Sequence, residues 1–178
     1  MSTFDSAKPI QTTAETAIEW EAAYNELLPK VYHYFCLRTG DRLEAEDLTA
    51  MTFERAWRDR VRYQKDLGGF SNWLFGIARH LVITHYRNKK PADALDEQSK
   101  IDVARPTEEA ATRLEQFDRL ASLLSTLPER EQEIFSLKYG AQFTNRSIAK
   151  IVGLSESNVG TILNRVVSRL REQMENEK

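Results

Sequence analysis

Cysteine is almost missing: Cys36 is the single one in 178 residues, which excludes an internal disulfide framework, and no Cys/His cluster has zinc-site spacing. Glycine and proline are scarce, at 7 and 5, and alternating β-branched runs are few, which argues for an all-α chain. No apolar run approaches the roughly 18 to 20 residues that span a bilayer. The polar N-terminus, MSTFDSAKPIQTTAETAIEW, has no signal-peptide core. A cytoplasmic protein without membrane insertion is the expectation. Neither sign of charge dominates, since 25 Lys and Arg face 27 Asp and Glu for a net charge of −2. Any nucleic-acid surface must therefore be local. No nucleophile–base pair, metal cluster or phosphate loop stands out, so no enzyme activity, cofactor or metal is expected.

What is present is concentrated near the C-terminus, in FTNRSIAKIVGLSESNVGTILNRVVSRLR, residues 143–171. Ile148, Ile151 and Val152 mark a first short helix, and Gly153 ends it, because glycine readily takes the left-handed terminal conformation. Ser155 can cap a second helix, with Glu156 complementing its dipole. Val159, Ile162 and Val166 form its inward stripe, with Leu163 on the margin. A small Ala149 at the crossing, a turn glycine and a buried valine make a helix-turn-helix pattern, whose second helix enters the DNA major groove. Its outward side carries Ser157, Asn158, Gly160, Thr161, Asn164, Arg165, Ser168 and Arg169. The stretch holds five basic residues and one acid. That bias favours DNA binding over a helical hairpin with a merely solvated face.

Residues 1–14 read as a disordered tail. A long helix follows, with Trp20, Tyr24, Leu27, Leu28, Val31 and Phe35 at three- and four-residue steps, closed by Gly40; Pro29 can kink or split it. Cys36 fits a small buried apolar position. A second helix over 42–63 places Leu48, Met51, Thr52, Ala56 and Trp57 inward. Its acidic start, Asp41, Glu44, Glu46 and Asp47 against Arg42, suits a helix dipole; a metal or acid–base site, whose side chains would have to point different ways around the helix, and a docking surface for a basic partner are the alternatives. After the break YQKDLGGF, a third helix carries Phe70, Trp73, Leu74, Ile77, Ala78 and Leu81 at core spacing. Four fixed cations and two histidines, with no acid, occupy residues 79–90. Aromatic rings and cations together suit single-stranded nucleic acid, although Phe70 and Trp73 lie on the apolar stripe, which favours a core role for them. Residues 91–109 hold six acids, two bases, Pro91 and Pro106, and read as a flexible acidic linker. Helicity then returns with Leu114, Phe117, Leu120, Leu124 and Leu127. Pro128 starts another helix carrying Ile134, Phe135 and Leu137. The expected architecture is two small helical domains, 15–90 and 110–178, the second ending in the helix-turn-helix.

Taken together, AEDLTAMTFERAW (45–57), FSNWLFGIARHLVITHYRNKK (70–90), LPEREQEIFSLKY (127–139) and the helix-turn-helix resemble the extracytoplasmic-function (ECF) group of bacterial RNA polymerase sigma factors. The resemblance runs over 27–171, nearly the whole chain. It implies a non-catalytic subunit that binds core RNA polymerase and directs it to promoter DNA, with an anti-sigma factor as a further candidate partner. Under it, Glu46, Asp47, Leu48 and Phe53 belong to a polymerase-binding helix. Lys65, Phe70, Trp73, Arg79, His80 and Arg87 belong to the part that melts the −10 element. Ser157, Asn158, Gly160, Thr161, Asn164, Arg165 and Arg169 belong to the reader of the −35 element. His80 and Thr84 replace the Asn and Asp of many relatives. Leu163 stands where many carry a basic residue, which implies one lost DNA contact. The alternative is a helix-turn-helix transcriptional regulator that is not a polymerase subunit, although residues 17–90 look like neither a ligand-binding nor a receiver domain.

Overall fold

A computed structural model describes residues 14–63, 69–88 and 107–176. Residues 1–13 of the expected tail, most of the expected linker and Lys65 fall outside these residues, while Ala14, the last residue of the expected tail, opens the first helix. Among the described residues the secondary structure is helical throughout: α1 (Ala14–Thr39), α2 (Arg42–Arg58), a 3-10 turn (Arg60–Arg62), α3 (Gly69–Asn88), α4 (Glu108–Ser125), α5 (Glu129–Tyr139), α6 (Asn145–Val152) and α7 (Glu156–Asn176).

Helix α1 is the central one, in contact with α2, α3, α4 and α5. Neighbours on several sides require a wide buried face, and Leu27, Val31, Tyr34, Phe35, Cys36 and Arg38 supply it. The helix runs unbroken through Pro29. Proline removes the N–H that would bond the Asn25 carbonyl. Both residues face solvent, so water can satisfy the freed acceptor. Burial pushes the Cys36 thiol above its ordinary pKa. It also pushes the Tyr32 phenol up to about 12, aided by a hydrogen bond with Cys36.

Helix α2 ends at Arg58, short of the expected Tyr63. Asp41 caps its start, accepting the Leu43 and Glu44 N–H groups. At its end the Arg60 guanidinium takes the Trp57 carbonyl at 2.6 Å and lies 4.0 Å over the indole ring, satisfying an orphan acceptor where the chain leaves the helix. The inward face also differs from the expectation. Ala45, Leu48, Thr49, Thr52, Phe53 and Ala56 are buried, while Met51 and Trp57 are 48 % and 49 % exposed. Thr49 and Thr52 can be buried because their hydroxyls donate to the Ala45 and Leu48 carbonyls one turn back, at 2.6 and 2.7 Å.

The two helical halves pack against each other. One buried cluster joins α1–α3 to Ile134, Leu137, Ala141, Ile148, Ala149, Val159 and Leu163 of the second half. A smaller one, Leu124, Leu127, Phe135, Val166 and Leu170, holds α4, α5 and α7 together. Along the seam, Phe75 meets Phe143 edge-on with centroids 4.9 Å apart. Gly140 lies directly against α1: a Cβ there would sit 2.8 Å from the Tyr34 Cα and N. Tyr34 is fully buried beside it, which raises its phenol pKa well above the ordinary value.

Candidate nucleic-acid interface

The second half builds its reading helix from local chemistry. Thr144 Oγ1 accepts the Ser147 N–H at 3.2 Å and starts α6. Gly153, at φ 70° and ψ 40°, ends it in the left-handed conformation. The Leu154 N–H then bonds the Ala149 carbonyl at 3.0 Å. Ser155 Oγ accepts the Asn158 N–H at 3.2 Å and caps α7. The turn glycine and the serine cap therefore do what the sequence expects of them.

Val159, Leu163, Val166 and Leu170 are the buried stripe of α7. Leu163 is 5 % exposed, so it belongs to the core and not to a margin or a DNA-facing position; Ile162 is the residue left half-buried. Steps of four, three and four keep one side of the helix against α5 and α6. Ser157, Asn158, Thr161, Asn164, Arg165 and Arg169 are exposed. Gly160 is half-buried, its Cβ position 3.6 Å from Asn145 Nδ2, so it faces the start of α6 more than the outward side. Arg165 is not free: its Nη2 donates to Glu131 of α5.

The first half brings an aromatic group to the start of α3. Trp20 meets Trp57 and Phe70 edge-on at 5.1 and 5.3 Å, while Tyr63, Phe70 and Trp73 meet one another edge-on or tilted at 5.4 to 5.5 Å. Phe70 and Trp73 are half-buried in it. His80 and Arg87 are exposed. Arg79, expected at the −10 strand, lies at the seam in this structure. Its Nε donates to Glu133 Oε1 at 2.5 Å and its Nη1 to the Ile151 carbonyl at 3.2 Å. His85 lies 3.1 Å from Glu44, and the Tyr86 hydroxyl donates to the Arg38 carbonyl.

On α2, Glu46 and Asp47 are exposed. Leu48 and Phe53, expected to bind polymerase, are buried. Phe53 packs edge-on against Tyr24 at 4.7 Å, so both residues hold α2 on α1. The outward face is formed by Glu46, Asp47, Met51 and Glu54.

Sequence reasoning missed the polar seam. Arg38, 5 % exposed, donates to the Glu129 carbonyl at 3.3 Å and to Gln132 Oε1 at 3.4 Å, and its Nε has no partner among the described residues. A signal was available. Leu27, Val31, Tyr34 and Arg38 form a second stripe on α1 at steps of four, three and four, with the cation at its end.

The sequence matches the Sigma-70 region 2 family over residues 23–91 and the Sigma-70 region 4 family over 117–170, together more than two thirds of the chain. It is 28% identical to the ECF RNA polymerase sigma factor SigM of Bacillus subtilis over 149 residues, 83% of this chain and 90% of SigM. It is 27% identical to the ECF sigma factor BldN of Streptomyces coelicolor over 150 residues, 83% of this chain but 57% of BldN. The fold is similar to that of the sigma factor RpoE solved in complex with the anti-sigma factor NepR from Bartonella quintana, at a TM-score of 0.68 and 19% identity, covering 90% of this chain and 99% of that one. Among the described residues no helix is long and apolar enough to cross a membrane. With both families matched in their order along the chain, on an all-helical frame that ends in a helix-turn-helix, this protein belongs to the ECF group of RNA polymerase sigma factors.

Proposed function

We propose how this sigma factor, which directs RNA polymerase to promoters, divides the work over its surfaces. Residues 15–90 form the region 2-like unit and 110–178 the region 4-like unit. The outward face of α2, with Glu46 and Asp47, docks on core polymerase. Lys65, His80 and Arg87 meet the −10 strand, and the Phe70–Trp73 group forms the wall beside it. Ser157, Asn158, Thr161, Asn164, Arg165 and Arg169 of α7 read the −35 element, and an anti-sigma factor is a further partner. The sigma factor acts through binding, in the cytoplasm and without catalysis.

One observation carries the reading of α7. The helix sets an exposed polar and basic face, Thr161, Asn164, Arg165 and Arg169, over a fully apolar buried stripe. Arginine pairs bidentately with guanine and asparagine with adenine in the major groove, at about 1–3 kcal/mol of discrimination each. Arg169 lies further along the helix and meets a phosphate, which adds affinity without sequence information. Binding-site selection on the full chain with core polymerase tests this. Asn164→Ala or Arg165→Ala should relax the preference at one or two −35 positions. Arg169→Ala should weaken all sequences alike and reduce the salt slope by about one. Three variants that keep the parental preference and merely lose affinity would show that α7 positions the protein and reads no bases.

A further inference from the structure

Arg165 differs from the other cations of α7. Among the described residues it has an ion-pair partner, Glu131, whereas Arg169 and Arg171 have none. The two ends of the pair are unequal: the Glu131 side chain is 15% exposed and that of Arg165 63%. The carboxylate is thus the anchored member. It sits in the first turn of α5, where the helix dipole favours negative charge. The guanidinium rests on it and reaches outward into solvent.

An unrestrained surface arginine samples many rotamers and loses that freedom when it docks; a planar fork already held in place loses less. A guanidinium has five N–H donors, and one Nη2 hydrogen is engaged by Glu131. The others remain for a base edge, and two of them in parallel are what guanine O6 and N7 accept. We infer that Glu131 is a positioning residue for the −35 readout. It fixes the orientation of the Arg165 fork on α7, so base preference at one −35 base pair depends on a carboxylate that touches no DNA. The inference rests on the reading of α7 as the −35 reader and adds a determinant from a different helix.

The test uses the full chain assembled with core RNA polymerase on a promoter library randomised over the −35 element, with transcripts sequenced. Glu131→Gln keeps the shape and removes the charge. It should lower the preference for the favoured base at one pair by about fivefold or more, the scale of a coupling of this size. In an Arg165→Ala background it should change nothing further at that pair. Glu131→Asp, which keeps the charge and shortens the reach, should fall between parent and Glu131→Gln, and it serves as the informative variant if glutamine impairs folding. Thermal unfolding of each variant separates a general loss of structure from a change confined to one base pair. A Glu131→Gln protein with unaltered or sharper preference, or one that loses preference equally with and without Arg165, overturns the inference. An Arg165→Ala protein that keeps every −35 preference also overturns the inference, whereas the α7 reading itself falls only if Asn164→Ala and Arg169→Ala keep every preference too, so the two failures are distinguishable.

Discussion

Replacing Gly140 by alanine should loosen the seam between the two halves of the chain. The added methyl would sit 2.8 Å from two backbone atoms of Tyr34 and 2.8 Å from the Ser136 carbonyl, with no flexible side chain available to give way. Gly140 has φ −85° and ψ −56°, an ordinary right-handed conformation, so the backbone itself does not demand glycine. Alanine would even stabilise by about 0.4–1 kcal/mol through a less flexible unfolded chain. Against this stands overpacking in a rigid contact, at about 1–3 kcal/mol. The clash wins, for a net loss of about 1–2 kcal/mol, or roughly 2–8 °C in Tm for a chain of this size. Gly76→Ala supplies the control. Gly76 lies inside α3, is exposed, and has nothing within 4 Å of its Cβ position, so the same substitution there should stabilise by about 0.5–1 kcal/mol. Thermal and urea unfolding of both variants would read these opposite signs. A Gly140→Ala protein as stable as its parent, while Gly76→Ala behaves as expected, would mean that α5 does not rest on the α1 backbone.

Two further predictions concern partners. Asp47→Arg should weaken binding to core polymerase by at least severalfold while leaving Tm unchanged, because Asp47 is exposed and a reversed charge repels a basic partner; unchanged affinity at physiological salt removes this face from the docking surface. A donor and acceptor dye placed on the exposed faces of α2 and α7 should lose energy transfer when core polymerase is added, and constant transfer through productive binding would refute a separation of the halves.

The helix-turn-helix was legible because its punctuation is local. Gly153 and Ser155 each do a job that only a few residue types can do, within a few residues of where it is needed. The stripe of α7 was less so. At roughly 100° per residue, Val159, Leu163, Val166 and Leu170 fall within about 60° of one another, and Ile162 lies off their centre. Including Leu170 in the stripe would have decided between Leu163 and Ile162. On α2 the large residues misled: Met51 and Trp57 point away from the arc that Ala45, Thr49 and Thr52 share with Leu48 and Phe53. Small and hydroxyl-bearing residues marked the buried side, because a threonine that bonds its own helix needs no outside partner. The seam was legible least of all. Arg79 finds Glu133 54 positions away, and no local periodicity announces such a pair. The same cation that reads as a strand contact in sequence is an interface contact in the fold.

The character of that seam bears on how both reading surfaces can act at once. Elements named −10 and −35 are separated by about 25 base pairs, roughly 85 Å of duplex at 3.4 Å each. A compact chain of this length has a radius of gyration of roughly 16 Å, so it is about half that distance across. Halves locked together could not occupy both elements. The seam carries the polar groups that make parting feasible. Arg38 is held by long contacts, its Nε unpartnered among the described residues, and Arg79 and Glu133 regain water when they separate, which offsets the lost pairing. The apolar part, Ile134, Leu137 and Phe75, has no such compensation, because it must be covered again by a partner surface. A seam built this way is expected to stay shut in the free protein and to open when polymerase offers each half a surface of its own, with loss of the Gly140 contact with Tyr34 as the mark of opening.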